Sequence, residues 1–236
     1  MTKVKKKPNF KLIFGTVLFI TLVLSIIYAI VSMIMAPEVS DEPYEKIKSD
    51  YSLMLLQCSL GMVVMFIPSL LQKKLSLTIP NYMFVLYFIF LFCAIYLGEV
   101  QDFYFIIPYW DLLLHTFSGA MLGSLGFTLV SLLNSNKNVD MHLSPFFIAF
   151  FAFCFALAFG VVWEIYEYTV DSVAALNMQK YALEDGALLV GREALADTME
   201  DLIVDAVGAL VMCIFGYISV KRKQGGKNEA LGEKTA

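Results

Sequence analysis

Three short runs of ionisable side chains interrupt apolar stretches of this chain, and their residue types are those that bind cations or transfer protons. One run pairs an aspartate with a histidine, and the other two are acidic. A charged group in membrane hydrocarbon costs about 2.5–3.5 kcal/mol on insertion scales, so charges kept there indicate a buried polar site with partners. The nine residues are Asp111, His115, Glu164, Glu167, Asp171, Asp197, Glu200, Asp201 and Asp205.

The spacing within these runs is helical. His115 follows Asp111 by four residues, and Asp205 follows Asp201 by four. Residues three or four apart share one face of a helix, so each run forms a polar stripe. Small residues continue these faces and allow membrane helices to approach closely, which we expect to bring His115 towards Asp201 and Asp205. The small residues are Ser118, Gly119, Gly123, Gly126, Gly208 and Ala209.

So many carboxylates cannot all stay ionised at short range without compensating positive charge. The resident candidates are His115, Lys180 and Arg192, and a bound divalent cation would balance the charge best. One histidine among many carboxylates favours a hard or borderline ion, Mg²⁺, Mn²⁺, Ca²⁺ or Zn²⁺, over an ion that prefers thiolates. The predicted metal ligands are Asp111, His115, Glu164, Glu167, Asp201 and Asp205.

The composition predicts an all-α, polytopic membrane protein. Hydrophobic residues make up 59% of the chain and charged residues 16%, and the mean hydropathy is +0.72. An apolar run of about 20 residues is long enough to cross a bilayer as a helix. Six such spans are predicted, at residues 12–35, 52–71, 82–97, 112–133, 146–168 and 202–220.

The basic residues orient these spans, because loops that stay in the cytoplasm are enriched in Lys and Arg. With six spans, only four of the 17 basic residues fall on one side, namely Lys46, Lys48, Lys180 and Arg192. Both termini are therefore predicted to be cytoplasmic. All nine ionisable residues then lie on the extracytoplasmic side, while spans one to three and the inner halves of spans four to six show no charge at membrane depth.

The chain is predicted to form a single transmembrane domain, residues 1–222, followed by a disordered cytoplasmic tail, residues 223–236. The first span is too long for a secretory signal and is interpreted as an uncleaved anchor. The four cysteines have no metal-binding spacing. A net charge of −4 argues against a nucleic-acid partner.

Some of the polar residues allow a simpler interpretation. Asp111, Asp171, Asp197 and Glu200 lie near the predicted helix ends and are open to a role as interfacial residues, with Asp111 and Asp197 as N-caps. The connection 172–196 is long enough to fold over the site. Its Arg192 is suited to a bidentate grip on a phosphate or carboxylate, and is the predicted substrate-binding residue.

The three motifs resemble a known signature. They are WDxxxH from Trp110, WExxE from Trp163, and DxxxDxxxDxxG from Asp197 to Gly208. This combination resembles the YjdF-like family of bacterial inner-membrane proteins, which has no established activity, and the likeness covers most of the chain from span two onward. It implies a multi-pass protein of the bacterial cytoplasmic membrane and names no substrate.

A more distant likeness is to the VanZ-like membrane proteins. Their pattern places an Arg before an Asp and a glycine-containing span, which matches Arg192, Asp201 or Asp205, and Gly208. The chain has Glu167 where that family tends to have Gln. This likeness implies a shared architecture linked to the cell envelope.

Three classes of function fit these features: an enzyme, a transporter and a non-catalytic binding protein. In the first, an outer-leaflet enzyme uses a metal ion to act on a lipid-linked or envelope substrate. In the second, the same carboxylates serve a cation- or proton-coupled transporter. In the third, the protein binds envelope components without catalysis. Membrane lipids are the expected partners in each, and the oligomeric state is left open. The predicted catalytic residues are His115, Glu164, Glu167, Asp201 and Asp205.

Overall fold

The structure, a computed structural model, confirms the all-α class. Within the described residues the regular structure is helical, apart from one isolated antiparallel bridge between Ala182 and Leu188. The described residues are 8–40, 45–74, 79–134, 143–183 and 185–232.

Long helices make up most of the described residues, because the apolar runs of the sequence contain few helix-breaking residues. A π-helical segment continues the fourth helix directly, a rare geometry in which each turn holds more residues than in an α-helix. In chain order the elements are α1 Phe10–Met35, α2 Lys48–Val64, α3 Ile67–Lys74, α4 Asn81–Leu91, the π-helix Phe92–Val100, α5 Phe103–Ile106, α6 Trp110–Asn134, α7 Pro145–Ala174 and α8 Arg192–Gly232.

Six helical stretches among the described residues are long and apolar enough to cross a membrane, which confirms the predicted number of spans. Each is at least as long as about 20 residues, the length that bilayer hydrocarbon requires. They are Phe10–Met35, Lys48–Lys74, Asn81–Val100, Trp110–Ser131, Pro145–Ala174 and Arg192–Arg222.

The outward faces of these helices are apolar. On α7, Phe146 is 70% exposed and Phe150 is 54% exposed, and on α8 Ile203 is 56% exposed. A helix that is hydrophobic on all sides is stable in a protein core or in lipid. Helices also satisfy their backbone hydrogen bonds internally, as the bilayer requires. The chain is therefore a multi-pass membrane protein.

The described chain divides into two compact units. One contains the described residues up to Trp110 with Asp171–Met178 and Ala182–Leu188, and the other contains those of Asp111–Val170, Gln179–Tyr181 and the described residues from Leu189 onward. Both units lie mainly within residues 1–222, the region predicted from the sequence to be a single domain. α8 continues to Gly232, into the segment predicted to be a disordered tail, and residues 233–236 lie outside the described ones.

The core of the first unit lies where α1, α2 and α4 meet. Leu22, Cys58 and Phe84 are almost fully buried there. The hydroxyl of Tyr87 donates a hydrogen bond to the carbonyl of Val64 at 2.9 Å, so its polar atom is satisfied. The second unit, built from α6, α7 and α8, contains the predicted site residues.

Candidate functional site

The start of α6 supplies the histidine of the site. Asp111 lies in the first turn of α6, and His115, one turn later, is buried. Their spacing puts both side chains on one face of the helix. The distance from His115 Nε2 to Asp111 Oδ1 is 3.8 Å.

Glycines bring α8 against α6. A β-carbon on Gly119 would lie 2.8 Å from the Cα atom of Asp205, and one on Gly208 would overlap the carbonyl of Thr116. The two backbones approach this closely because neither glycine has a side chain. The close packing that we predicted for spans four and six is therefore confirmed.

This packing places two α8 carboxylates against the imidazole. Asp201 is 2% exposed and Asp205 is 3% exposed. His115 Nδ1 lies 3.3 Å from Asp205 Oδ2, and His115 Nε2 lies 3.9 Å from Asp201 Oδ2. The two ring nitrogens of His115 thus face different partners, Asp205 on one side and Asp111 with Asp201 on the other.

A serine on α6 completes the contact with Asp205. Ser118 Oγ donates a hydrogen bond to Asp205 Oδ1 at 2.8 Å and lies 2.9 Å from the carbonyl oxygen of His115. From the sequence, Ser118 is predicted only as a small packing residue. Its position three residues after His115, on the same face, is the signal that could have identified it as a polar contact.

α7 adds two more buried carboxylates. Glu164 is 5% exposed and Glu167 is 8% exposed, and both lie within electrostatic range of Asp111 and His115. Among the described residues, neither carboxylate oxygen of Glu164 makes a hydrogen bond of normal geometry, although the Thr198 hydroxyl lies close enough to interact with it. A buried polar group without a well-formed hydrogen bond is destabilising, so Glu164 is a candidate for contact with a bound ion or substrate.

Asp111, His115 and Asp201 form a group that suits a metal ion. One ligand atom from each lies within 4.8 Å of the others. Two ligand atoms about 2.1 Å from one ion lie roughly 3.4 Å apart in a tetrahedral site. The observed distances of 3.8 and 3.9 Å therefore need only small side-chain adjustments. The second oxygen of Asp201, Oδ1, is buried without a hydrogen-bond partner among the described residues.

The remaining predicted residues fall outside this group. Asp171 is buried and accepts a hydrogen bond from the backbone N–H of Met178 at 2.8 Å, so it orders the chain after α7. Glu200 is exposed. Arg192 is exposed at the first position of α8, about 13 Å along the helix axis from Asp201. Its role in substrate binding stays a prediction.

The N-cap interpretation is wrong for Asp197, and Asp111 lies within the first turn of α6, which begins at Trp110, rather than at its N-cap. α8 begins at Arg192, five residues earlier, so Asp197 lies inside the helix and is half-buried. The segment from Arg192 to Ala196 contains strong helix formers, and Gly191 before it has a φ of 65°, a conformation that favours glycine. The predicted connection 172–196 is shortened accordingly to residues 175–191.

One part of this connection is attached to the site's own unit. Gln179 Nε2 donates a hydrogen bond to Thr198 Oγ1 at 3.0 Å, which fixes the segment to the second turn of α8. Lys180 has a φ of 51° and lies within electrostatic range of Glu167 and Asp197. A positive side chain therefore lies in electrostatic range of the acidic residues of α7 and α8.

A further carboxylate at a span end was missed from the sequence. The third span extends to Val100 rather than residue 97, because the π-helix continues it. Glu99 therefore belongs to the span, and its carboxylate lies 3.4 Å from Gln57 Nε2. Glu99 lies one residue before the end of the third span, so it adds an acidic group at that span end.

The fold and the site define a multi-pass helical membrane protein with a buried carboxylate and histidine group in its last three spans. A family profile described as "Predicted membrane protein (DUF2238)" matches residues 10–222. The chain belongs to this family, in agreement with the resemblance to YjdF-like membrane proteins. Comparisons with curated proteins and with solved structures gave no match.

Proposed function

We propose that this protein is a metal-dependent enzyme of the bacterial cytoplasmic membrane that acts from the extracytoplasmic side on a lipid-linked or envelope substrate. The observation that carries the proposal is the convergence of Asp111, His115 and Asp201, with the buried Glu164 in electrostatic range of Asp111 and His115. Three protein ligands with an open position are typical of catalytic metal sites.

A divalent ion held there would polarise a phosphoryl or acyl oxygen and activate water. The chain supplies the proton transfer. Glu164, which is buried, accepts the proton of the attacking water. The water oxygen then bonds to phosphorus or to the acyl carbon, the bond to the leaving oxygen breaks, and that oxygen takes up the proton that Glu164 had accepted.

The surroundings of the site suit a substrate with a lipid tail. Leu113 is 60% exposed on α6, and Val162 and Ile165 are 59% and 58% exposed on α7. These apolar side chains alternate with the buried polar residues along the same helical turns. A lipid can therefore pack against the outside of the helices while its head group reaches the carboxylates.

The distribution of basic residues supports the extracytoplasmic side. The site residues lie at the beginnings of α6 and α8 and at the end of α7. The positive-inside rule assigns these helix ends to the side with few Lys and Arg residues.

A transport function has less support. A path for ions needs polar groups that face the path at every depth. Beyond the site, the hydroxyl of Ser124 donates to the carbonyl of Ala120 at 2.9 Å, and that of Thr128 donates to Ser124 O at 2.8 Å. These hydroxyls are bonded to their own helix. The polar contacts therefore indicate a site at one end of the helices.

Metal analysis with activity measurement tests the proposal. The purified protein in detergent would be loaded with Zn²⁺ or Mn²⁺, desalted and measured for bound metal. It would then be tested for release of phosphate or fatty acid from a panel of lipid phosphates and acyl lipids. We expect one bound ion and metal-dependent hydrolysis, with Asp201→Asn losing the ion and Glu164→Gln losing turnover.

Glu200→Gln is the matched control, since it removes an exposed carboxylate next to Asp201. It should leave both measurements unchanged. The proposal would be overturned if the wild-type protein bound no stoichiometric metal. It would also be overturned if the protein carried protons or cations across liposome membranes and Asp201→Asn abolished that flux.

A further inference from the structure

The two nitrogens of His115 lie in different surroundings. Nε2 faces Asp111 Oδ1 at 3.8 Å and Asp201 Oδ2 at 3.9 Å. Among the described carboxylates, Asp205 alone lies within ion-pair distance of Nδ1, with Oδ2 at 3.3 Å. A neutral imidazole carries its proton on one nitrogen and its lone pair on the other. The partner of each nitrogen therefore decides which one can bind a metal.

Asp205 has both oxygens engaged. Oδ2 faces the His115 ring, and Oδ1 accepts the hydrogen bond from Ser118. Asp201 is different, since its Oδ1 is buried without a hydrogen-bond partner among the described residues. Of these two neighbouring α8 carboxylates, Asp201 has an oxygen to offer to an ion, and Asp205 has none without breaking a contact.

The backbone around Asp205 also restricts its movement. A β-carbon on Gly160 of α7 would lie 2.7 Å from Asp205 Oδ2, and one on Gly119 of α6 would lie 2.8 Å from Asp205 Cα. Both neighbouring helices therefore press against this residue. Asp205 Oδ2 packs directly against the Gly160 backbone, and close packing of this kind limits how far the carboxylate can turn.

We infer that Asp205 is a positioning residue and not a metal ligand. Its carboxylate, held by Ser118, accepts the Nδ1–H of His115 and fixes the tautomer that presents the Nε2 lone pair to a metal ion shared with Asp111 and Asp201. Carboxylates that hold a metal-binding histidine in this way raise its basicity and fix its ring orientation. The inference rests on the metal site of the proposed function, and it narrows the predicted ligand set by removing Asp205.

The two α8 aspartates should then respond differently to the loss of charge. Asp205→Asn keeps a hydrogen-bond acceptor for Nδ1–H and leaves the ligand set intact. We expect its metal affinity to fall about 10- to 100-fold, the usual effect of changing such a supporting residue. Asp201→Asn removes a ligand and should change the coordination itself.

The chain contains two histidines, His115 and His142. Replacing His142, which lies outside the described residues, with glutamine leaves His115 as the single histidine. The full-length variant would be labelled with ¹⁵N-histidine, loaded with ¹¹³Cd²⁺ as a probe and studied by NMR in detergent micelles. We expect a one-bond ¹¹³Cd coupling to Nε2 and a proton on Nδ1, with the same pattern in Asp205→Asn at lower affinity.

Two outcomes would overturn the inference. Coupling of ¹¹³Cd to Nδ1 would show that Nδ1, and not Nε2, binds the metal. An unchanged metal affinity in Asp205→Asn would show that Asp205 does not position His115. If Asp205→Asn does not fold, Ser118→Ala replaces it and should keep the Nε2 coupling with a smaller loss of affinity. If the wild type binds neither Zn²⁺, Mn²⁺ nor Cd²⁺, the proposed function itself fails, which is a separate result.

Discussion

The backbone of α8 at Asp205 touches α6 at Gly119, so that a β-carbon on Gly119 would lie 2.8 Å from the Asp205 Cα atom. This contact sets the distance between the histidine of α6 and the carboxylates of α8. Packing and site geometry are therefore determined by the same pair of residues, and disturbing one should disturb the other.

Replacing Gly119 with alanine should separate the two helices. We expect Gly119→Ala to lower stability by about 1–3 kcal/mol, as overpacking does, and to weaken Zn²⁺ binding. Thermal unfolding in detergent would measure the first effect. Gly123→Ala is the matched comparison, because its β-carbon would meet Ala209 Cα at 3.1 Å and needs a smaller shift. A Gly119→Ala protein as stable as the wild type would contradict the close contact.

Removing the Ser118 hydroxyl should leave Asp205 Oδ1 buried without its donor. We expect Ser118→Ala to cost about 1–3 kcal/mol, the desolvation penalty of an unsatisfied group. Ser124→Ala serves as the control, because that hydroxyl bonds its own helix carbonyl and makes no contact with a carboxylate. Equal unfolding temperatures for the two variants would argue against the Ser118–Asp205 hydrogen bond.

Glu164 is expected to lower the stability of the metal-free protein and to be required for its activity. Without metal, burial disfavours the ionised form of Glu164, whose oxygens make no hydrogen bond of normal geometry among the described residues, and Glu164→Gln removes this ionisable group. We expect this variant to be more stable than the wild type by about 0.5–2 kcal/mol in chelator-treated samples, and to be inactive. The unfolding temperature measured with and without EDTA checks this. Glu200→Gln should show neither effect, and a destabilised Glu164→Gln would count against the prediction.

Metal binding should raise the stability of the folded state. A ligand at about 100 times its Kd stabilises by about 2.7 kcal/mol if it binds only the native protein. We expect Zn²⁺ to raise the unfolding temperature of the wild type, and His115→Gln to show no rise. EDTA should reverse the effect. An equal shift in both proteins would place the bound ion elsewhere.

The orientation in the membrane can be measured by labelling. In a cysteine-free background, Asp185→Cys lies in the connection before α8 and Lys221→Cys lies at the other end of the span, and both positions are exposed. We expect a membrane-impermeant maleimide to label residue 185 in intact cells and residue 221 only after lysis. The reverse pattern would move the site to the cytoplasmic side.

Much of the fold could be read from the sequence because its signals are local. Runs of apolar residues gave the six spans, and their predicted centres match the helices. The helix ends were less accurate. α8 begins at Arg192, well before the predicted start at residue 202, because a hydropathy pattern loses the polar first turns of a helix. The third span likewise extends beyond its predicted end at residue 97, because the π-helix continues through the polar Glu99 to Val100.

The sequence by itself determined the class of the protein and the polar face of each helix, since hydrophobicity and a period of 3.6 residues act along one segment at a time. The tertiary structure decided which nitrogen of His115 faces which carboxylate, and gave Ser118 a polar partner in Asp205. Those contacts depend on the depth and rotation of one helix against another. Close approach at Gly119 and Gly208 fixes both, and no single segment of sequence encodes them.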